Sequence, residues 1–237
     1  MCTVSWLHQD DGYQLFCNRD ERKTRAIARG PEVIESGAVR FIAPIDCAGG
    51  GTWIAVNEYG LSLCLLNGST VGSCDAPVKS RGHIVMELAT ATCLAEACAR
   101  AWQTSLLEFA PFRLVLIERG RPAAVMTWDG VSRSIVPYWW LPLSSSSVDE
   151  AGARQVRERE FRRVMECGRT DAEAHLAFHR SHAAQASAYS PCMHRSDAET
   201  VSFTRIQVTG LEIFVHYSPA SPCRQYPAQT RLLSIAS

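Results

Sequence analysis

Cys2 follows Met1 directly. A small second side chain favours removal of the initiator methionine, which would put a thiol and a free α-amine on one residue, with reference pKa values of about 8.5 and about 7.7 to 8.0. A neutral amine of that basicity can take the thiol proton and later return it to a leaving amine. That is covalent catalysis with nucleophile and base built into one residue, and it needs no catalytic histidine. The alternative is an ordinary small core cysteine in a first strand, since the chain holds 10 cysteines.

Two further positions fit the same chemistry. Asn18-Arg19-Asp20-Glu21 lies at the end of the segment expected to pair with the one starting at Cys2. Arg19 beside a thiol favours thiolate and can hold an anionic substrate group, while Asp20 can orient the α-amine; an exposed turn with ordinary ion pairs is the other reading. Asn67 ends a later strand, where its amide can donate to the oxyanion that develops on an attacked carbonyl or simply form a turn before Gly68-Ser69. Gly50-Gly51-Thr52 offers close backbone approach beside the nucleophile, and Trp53 lines a pocket or fills core.

The elements that must position these groups are legible. Cys2 to Leu7 and Tyr13 to Asn18 flank Asp10-Asp11-Gly12 as a hairpin, and Thr52 to Asn57 and Leu61 to Leu66 flank Glu58-Tyr59-Gly60 as another. Apolar residues recur at spacings of three and four from Ser80 to Trp102, predicting one helix packed on a sheet. Arg113 to Glu118, Ala123 to Trp128 and Ser134 to Pro137 read as strands. Ser147 and Glu150 form a capping box for a helix to about Cys167, in which Arg157, Glu158, Arg159 and Glu160 form a solvated face. Asp171 to Gln185 is a second helix before strands Thr200 to Val208 and Leu211 to Tyr217. Strands, one helix, strands, two helices and strands fit a single α+β domain over residues 1–237, a four-layer αββα sandwich of two antiparallel sheets between helical layers.

Composition narrows the function classes. The 237 residues include 24 Lys plus Arg and 24 Asp plus Glu, a net charge of zero that leaves no field for nucleic acid. With 46% hydrophobic and 20% charged residues, a packed core is expected and a disordered chain excluded. The amino terminus has neither the basic start nor the apolar run of an export signal, and no apolar run approaches the roughly 20 residues of a membrane span. The expectation is a cytoplasmic protein with reduced thiols, no cofactor and no metal, of open oligomeric state. His175, His179 and His182 share one face of the last helix, a solvated polar face or, with Cys192 or His194, a metal or haem site. Cys93 and Cys98 read as core, and Cys17 as a small buried residue or a regulatory partner for Cys2.

Cys2, Asn18 to Glu21, Gly50-Gly51-Thr52-Trp53, Gly60-Leu61 leading to Asn67, and Ser80-Arg81-Gly82 occur in the order and spacing of the NRDE family, also called the transport and Golgi organisation protein 2 family, which the chain resembles. That family is similar to the cysteine N-terminal nucleophile hydrolases, including penicillin acylases and bile salt hydrolases. The resemblance implies that Cys2 is the nucleophile, that Arg19 and Asp20 are its neighbours, that Asn67 is an oxyanion or substrate donor, and that Asn18, Trp53 and Arg195 contact substrate. It implies a hydrolase of non-peptide carbon–nitrogen bonds that acts on a small amide or acyl substrate through an acyl-cysteine. The alternative it implies is a non-catalytic protein for haem trafficking or for lipid or acyl-coenzyme A binding on the same fold. The chain departs from the pattern at Leu141 to Ser147, where the family commonly has Leu-Ser-Asn and the hydrolases keep a second Asn.

Overall fold

The structure is a computed structural model that describes residues 2–68, 79–167, 171–224 and 226–236. Strands β1 (Cys2–Gln9) and β2 (Gly12–Arg22) pair antiparallel, with Cys2 opposite Arg19 and Gln9 opposite Gly12. A side chain on Gly12 would run into the carbonyl of Val208, so glycine is required at this turn.

The chain next builds a second sheet in sequence order: β3 (Arg29–Ser36), β4 (Val39–Ile45), β5 (Ile54–Asn57), β6 (Ser62–Asn67), β7 (Phe112–Ile117), β8 (Ala124–Trp128) and β9 (Arg133–Pro137), all antiparallel. It then returns to the first sheet through β10 (Leu143–Ser144), β11 (Ala198–Val208), β12 (Glu212–Ser218) and β13 (Gln229–Ser234), giving the order β10-β1-β2-β11-β12-β13. Helices α1 (Gly82–Leu88) and α2 (Leu94–Gln103) lie between β6 and β7 in the chain, and α3 (Glu150–Met165) and α4 (Asp171–Arg180) between β10 and β11.

Strand alternation sorts the side chains into three apolar layers. Val4, Trp6, Leu15 and Val215 of the first sheet meet Ile42, Ile54, Val56 and Val115 of the second. The other face of the second sheet, with Leu63, Leu65 and Leu114, packs on Ile84, Val85 and Ala97 of α1 and α2. Phe161, Val164 and Phe178 join α3 to α4. Each fully buried Leu or Phe contributes about 1.5 to 3 kcal/mol, and the result is the expected four-layer αββα sandwich. No described helix is long and apolar enough to cross a membrane.

Several expectations need correction. The single helix over 80–102 is two, because Asn57 Nδ2 donates to the carbonyls of Ala89 (3.0 Å) and Ala91 (2.5 Å), and Glu96 accepts from the backbone and hydroxyl of Thr92 (both 2.7 Å). These local bonds replace helical ones. Asp149, not Ser147, caps α3, accepting from Gly152 N at 2.9 Å. Arg157 and Glu160 are buried rather than solvated. The β3–β4 hairpin and β13 are additions; the polar, mostly exposed faces of β3 and β13 hide their strand period, while β4 is a buried apolar run without alternation.

His175 and His179 face the first sheet. Ser5 Oγ lies 2.7 Å from His175 Nδ1 and 2.9 Å from His179 Nε2, and Phe16 stacks on both rings. Burial holds His175 at a pKa of about 4, below the ordinary 6.5. The unfolded chain therefore takes up this proton first, so the neutral ring's contribution is complete above pH about 6.5 and is lost as pH falls toward 4, roughly 3 kcal/mol. Urea unfolding at pH 7 and pH 4 should show that loss, and His175→Phe should remove its share of the slope.

Candidate active site

Because Cys2 and Arg19 are directly opposed in the β1–β2 register, their side chains leave the sheet on the same face. The end of β6 (Asn67), the loop from Asp46 to Trp53 and the start of α1 (Arg81 and Gly82) complete a cavity of about 110 Å³ around them. The glycines make this enclosure possible: a Cβ on Gly51 would sit 2.5 Å from the carbonyl carbon of Gly82, and Thr52 N donates to Gly82 O at 3.3 Å. Cys2, Arg19, Trp53 and Asn67 are thus brought to one place, with Arg81 beside them.

The charges in the cavity are arranged in pairs. The Arg19 guanidinium stacks on the Trp53 ring at 4.2 Å and lies 3.5 Å from Asp46 Oδ1 and 3.9 Å from Glu21 Oε2. Arg25 holds the other side of Asp46 at 2.5 Å. Burial alone would raise the Asp46 carboxyl, but the bonds from Arg25 and the charge of Arg19 outweigh it and keep the group ionised. Arg81 is different. Its Nη1 donates to Pro111 O at 3.0 Å, it makes no ion pair among the described residues, and burial disfavours its charge.

Cys2 is only 5% exposed. A hydrogen bond shared with Cys17, followed by burial, pushes its thiol well above the ordinary range, and Cys17 is bonded in turn to Cys64. The resting Cys2 side chain is therefore a neutral thiol. The expected push toward thiolate is not what this geometry supplies, because Arg19 is committed to two carboxylates.

On the other side of the strand lies the environment of the Cys2 nitrogen, which donates to Ser145 Oγ at 3.1 Å while Ser145 N donates back to Cys2 O at 3.0 Å. Ser145 belongs to the serine run Ser144 to Ser147. Asp20 is buried one residue beyond Arg19, at the amino-terminal end of β1, and accepts from Thr200 Oγ1 at 2.6 Å. Arg157 Nη2 lies 3.6 Å from Asp20 Oδ2, and the same guanidinium donates to the carbonyls of Ser145 and Ser190, each at 3.2 Å. Burial raises the Asp20 carboxyl and the Arg157 charge opposes that.

Asn18 and Arg195 do not line the cavity. Asn18 Nδ2 donates to His179 O (2.9 Å) and Pro191 O (2.8 Å) on the helical side, and Arg195 pairs with Asp197 at 2.7 Å. Sequence reasoning assigned no role to Arg81 and misplaced Arg157. A signal for Arg157 existed: Ala153, Phe161 and Val164 are buried at helical spacing, and residue 157 fills the gap in that stripe. Met1 lies outside the described residues.

A sequence profile of the family described as Transport and Golgi organisation 2 matches residues 1–231. No curated protein matches the sequence. Among solved structures, the chain is similar to a Caenorhabditis elegans ortholog of N-acylethanolamine-hydrolyzing acid amidase (TM-score 0.65, 12% identity, covering 98% of this chain and 100% of that one). It is also similar to the penicillin V acylase of Agrobacterium tumefaciens (TM-score 0.56, 12% identity, 99% and 86%) and to a C2A mutant of the conjugated bile acid hydrolase of Clostridium perfringens (TM-score 0.54, 12% identity, 99% and 92%). At these identities the likeness establishes the fold.

Proposed function

We propose an N-terminal nucleophile amidase reaction for this chain, which belongs to the Transport and Golgi organisation 2 family. The observation that supports it is the placement of Cys2 in a polar cavity with Arg19, Asn67 and Arg81 while its own nitrogen rests on Ser145 Oγ. Once Met1 is removed, the neutral α-amine accepts the thiol proton and sulfur bonds to the substrate carbonyl carbon. The Asn67 amide donates to the oxygen that becomes negative. On collapse the carbon–nitrogen bond breaks, the ammonium gives its proton to the departing nitrogen, and an acyl thioester remains on Cys2. The amine then takes a proton from water, the water oxygen attacks the thioester, the acid leaves, and sulfur regains its proton. The raised thiol pKa makes the first proton transfer uphill, and holding the base on the same residue as the thiol offsets that cost by proximity.

The substrate class follows from the lining. At about 110 Å³ the cavity takes the reacting acyl or amine end of a small molecule, well below the 300 to 1,000 Å³ usual for a whole ligand. Arg81, half-buried and without an ion pair among the described residues, suits a carboxylate or similar anionic group near the scissile bond. Arg81→Gln is therefore expected to lower kcat/KM roughly 10- to 100-fold for anionic amides, mainly through KM, and to leave neutral amides nearly unchanged.

The test is turnover of a panel of small N-acyl amides, with and without a carboxylate, followed by mass spectrometry of the released amine. Turnover of at least one, with a quenched acyl adduct on the Cys2 peptide, supports the amidase. Stoichiometric binding of haem or an acyl-coenzyme A without any turnover supports instead a carrier on the same fold, a reading favoured by the departure from the family's pattern at Leu141 to Ser147.

A further inference from the structure

His182 lies just beyond α4, Cys192 and His194 on the loop that leads into β11, and Cys223 on the loop between β12 and β13. Although Cys223 is distant in sequence from the other three, one ligand atom from each lies within 4.8 Å of all the others. Cys192 Sγ is 3.6 Å and Cys223 Sγ 3.4 Å from His194 Nε2. Around a tetrahedral zinc ion, with Zn–S about 2.3 Å and Zn–N about 2.0 to 2.1 Å, a sulfur and a nitrogen ligand are about 3.5 Å apart. The apposition is thus already that of a coordination shell.

Two further observations point to a ligand. His182 Nε2 is buried with no hydrogen-bond partner among the described residues, an arrangement that costs free energy unless something binds there. Behind His194, on its other ring nitrogen, Glu199 Oε2 lies 3.7 Å from Nδ1 and is itself held by Arg224 at 3.2 Å. A carboxylate behind an imidazole is the usual support for a metal-bound histidine, fixing its tautomer.

We propose that His182, Cys192, His194 and Cys223 form a structural site for zinc or a similar thiophilic divalent cation. Two thiolates and two neutral imidazoles balance the +2 charge, and each cysteine releases its proton to solvent on binding. Thiolate ligands select against magnesium and calcium. Four protein ligands leave no open position for water, so the ion is structural rather than catalytic. Of the three histidines expected on one helical face, only His182 takes part, since His175 and His179 are held by Ser5.

The site clamps the loop that backs the candidate active site. Cys192 N donates to Ser181 O at 2.9 Å, Pro191 O is bonded by Asn18, Ser190 O by Arg157, and Met193 N donates to Thr200 Oγ1, which in turn donates to Asp20. Cross-linking this loop to the one carrying Cys223 stabilises the folded state whether or not Cys2 is reactive.

The full chain, purified under reducing conditions with zinc chloride, should contain about one zinc per chain by elemental mass spectrometry. After demetallation, cobalt chloride should give the visible absorption of tetrahedral cobalt with a thiolate charge-transfer band, and zinc should displace it. Cys192→Ser, and the exposed and fold-safe Cys223→Ser, should each lose about one equivalent of metal or weaken its binding at least tenfold, while Cys93→Ser should not. Absence of a cobalt–thiolate band in the wild type, an unchanged band in Cys223→Ser, or a Cys192–Cys223 disulfide mapped in the freshly isolated reduced protein would overturn the proposal.

Discussion

Replacing Cys2 with Ala is expected to lower single-turnover amide cleavage by on the order of 10⁴-fold or more, because in the proposed reaction the variant loses the atom that bonds to the substrate carbonyl carbon. Substrate affinity should change little, since Arg19, Trp53, Asn67 and Arg81 still line the cavity. Cys2→Ser separates nucleophile strength from shape: a hydroxyl of similar size fits the same place but gives up its proton far less readily, so binding persists and turnover falls nearly as far. Pre-steady-state kinetics with mass detection of the acyl-enzyme measures both. A Cys2→Ala variant that retained a tenth of the wild-type rate would remove the covalent step from the account.

The largest expected effect on stability is at Arg157. Its guanidinium is 1% exposed and lies 3.6 Å from a fully buried carboxylate, Asp20, while also satisfying the carbonyls of Ser145 and Ser190. Arg157→Met is expected to cost about 3 to 5 kcal/mol in urea unfolding, since it removes the guanidinium that faces the buried Asp20 carboxylate and leaves two buried carbonyls without this donor. Asp20→Asn together with Arg157→Met should recover part of that loss, because the buried negative charge that the guanidinium faced is then absent. Arg195→Met, at an ion pair with a half-exposed aspartate, should stay within about 0.5 kcal/mol. If Arg157→Met cost less than 1 kcal/mol, Asp20 would not depend on this partner.

These sites show what the sequence made legible. Strands with clear alternation and a glycine turn, such as β1 and β2 around Gly12, could be read because a period of two and a positional requirement for glycine act locally. The αββα layering followed from element order, since each apolar face must be covered. The break between α1 and α2 was hidden because its cause is tertiary: Asn57, more than 30 residues earlier, takes the carbonyls of Ala89 and Ala91. Arg157 was read as solvated because charge ordinarily stays at the surface, and only a buried counter-charge on another strand reverses that preference. Cys2, Arg19 and Asn67 converge because hairpin register and strand ends are predictable. Arg81 enters through the contact of Gly51 with Gly82, which no local pattern reveals. The four residues of the proposed metal site come from two loops, 181–197 and 219–228, whose spacing matches no contiguous metal-binding motif.

The most direct measurement of the central claim is intact mass spectrometry of the expressed chain before and after exposure to an acyl-donating thiol probe, with peptide mapping of the adduct. The account predicts a chain one methionine lighter than the translated sequence and a single dominant acyl adduct on Cys2 that is lost with time as water completes the cycle. Retention of Met1, with labelling confined to exposed thiols such as Cys47 and Cys167, would contradict it.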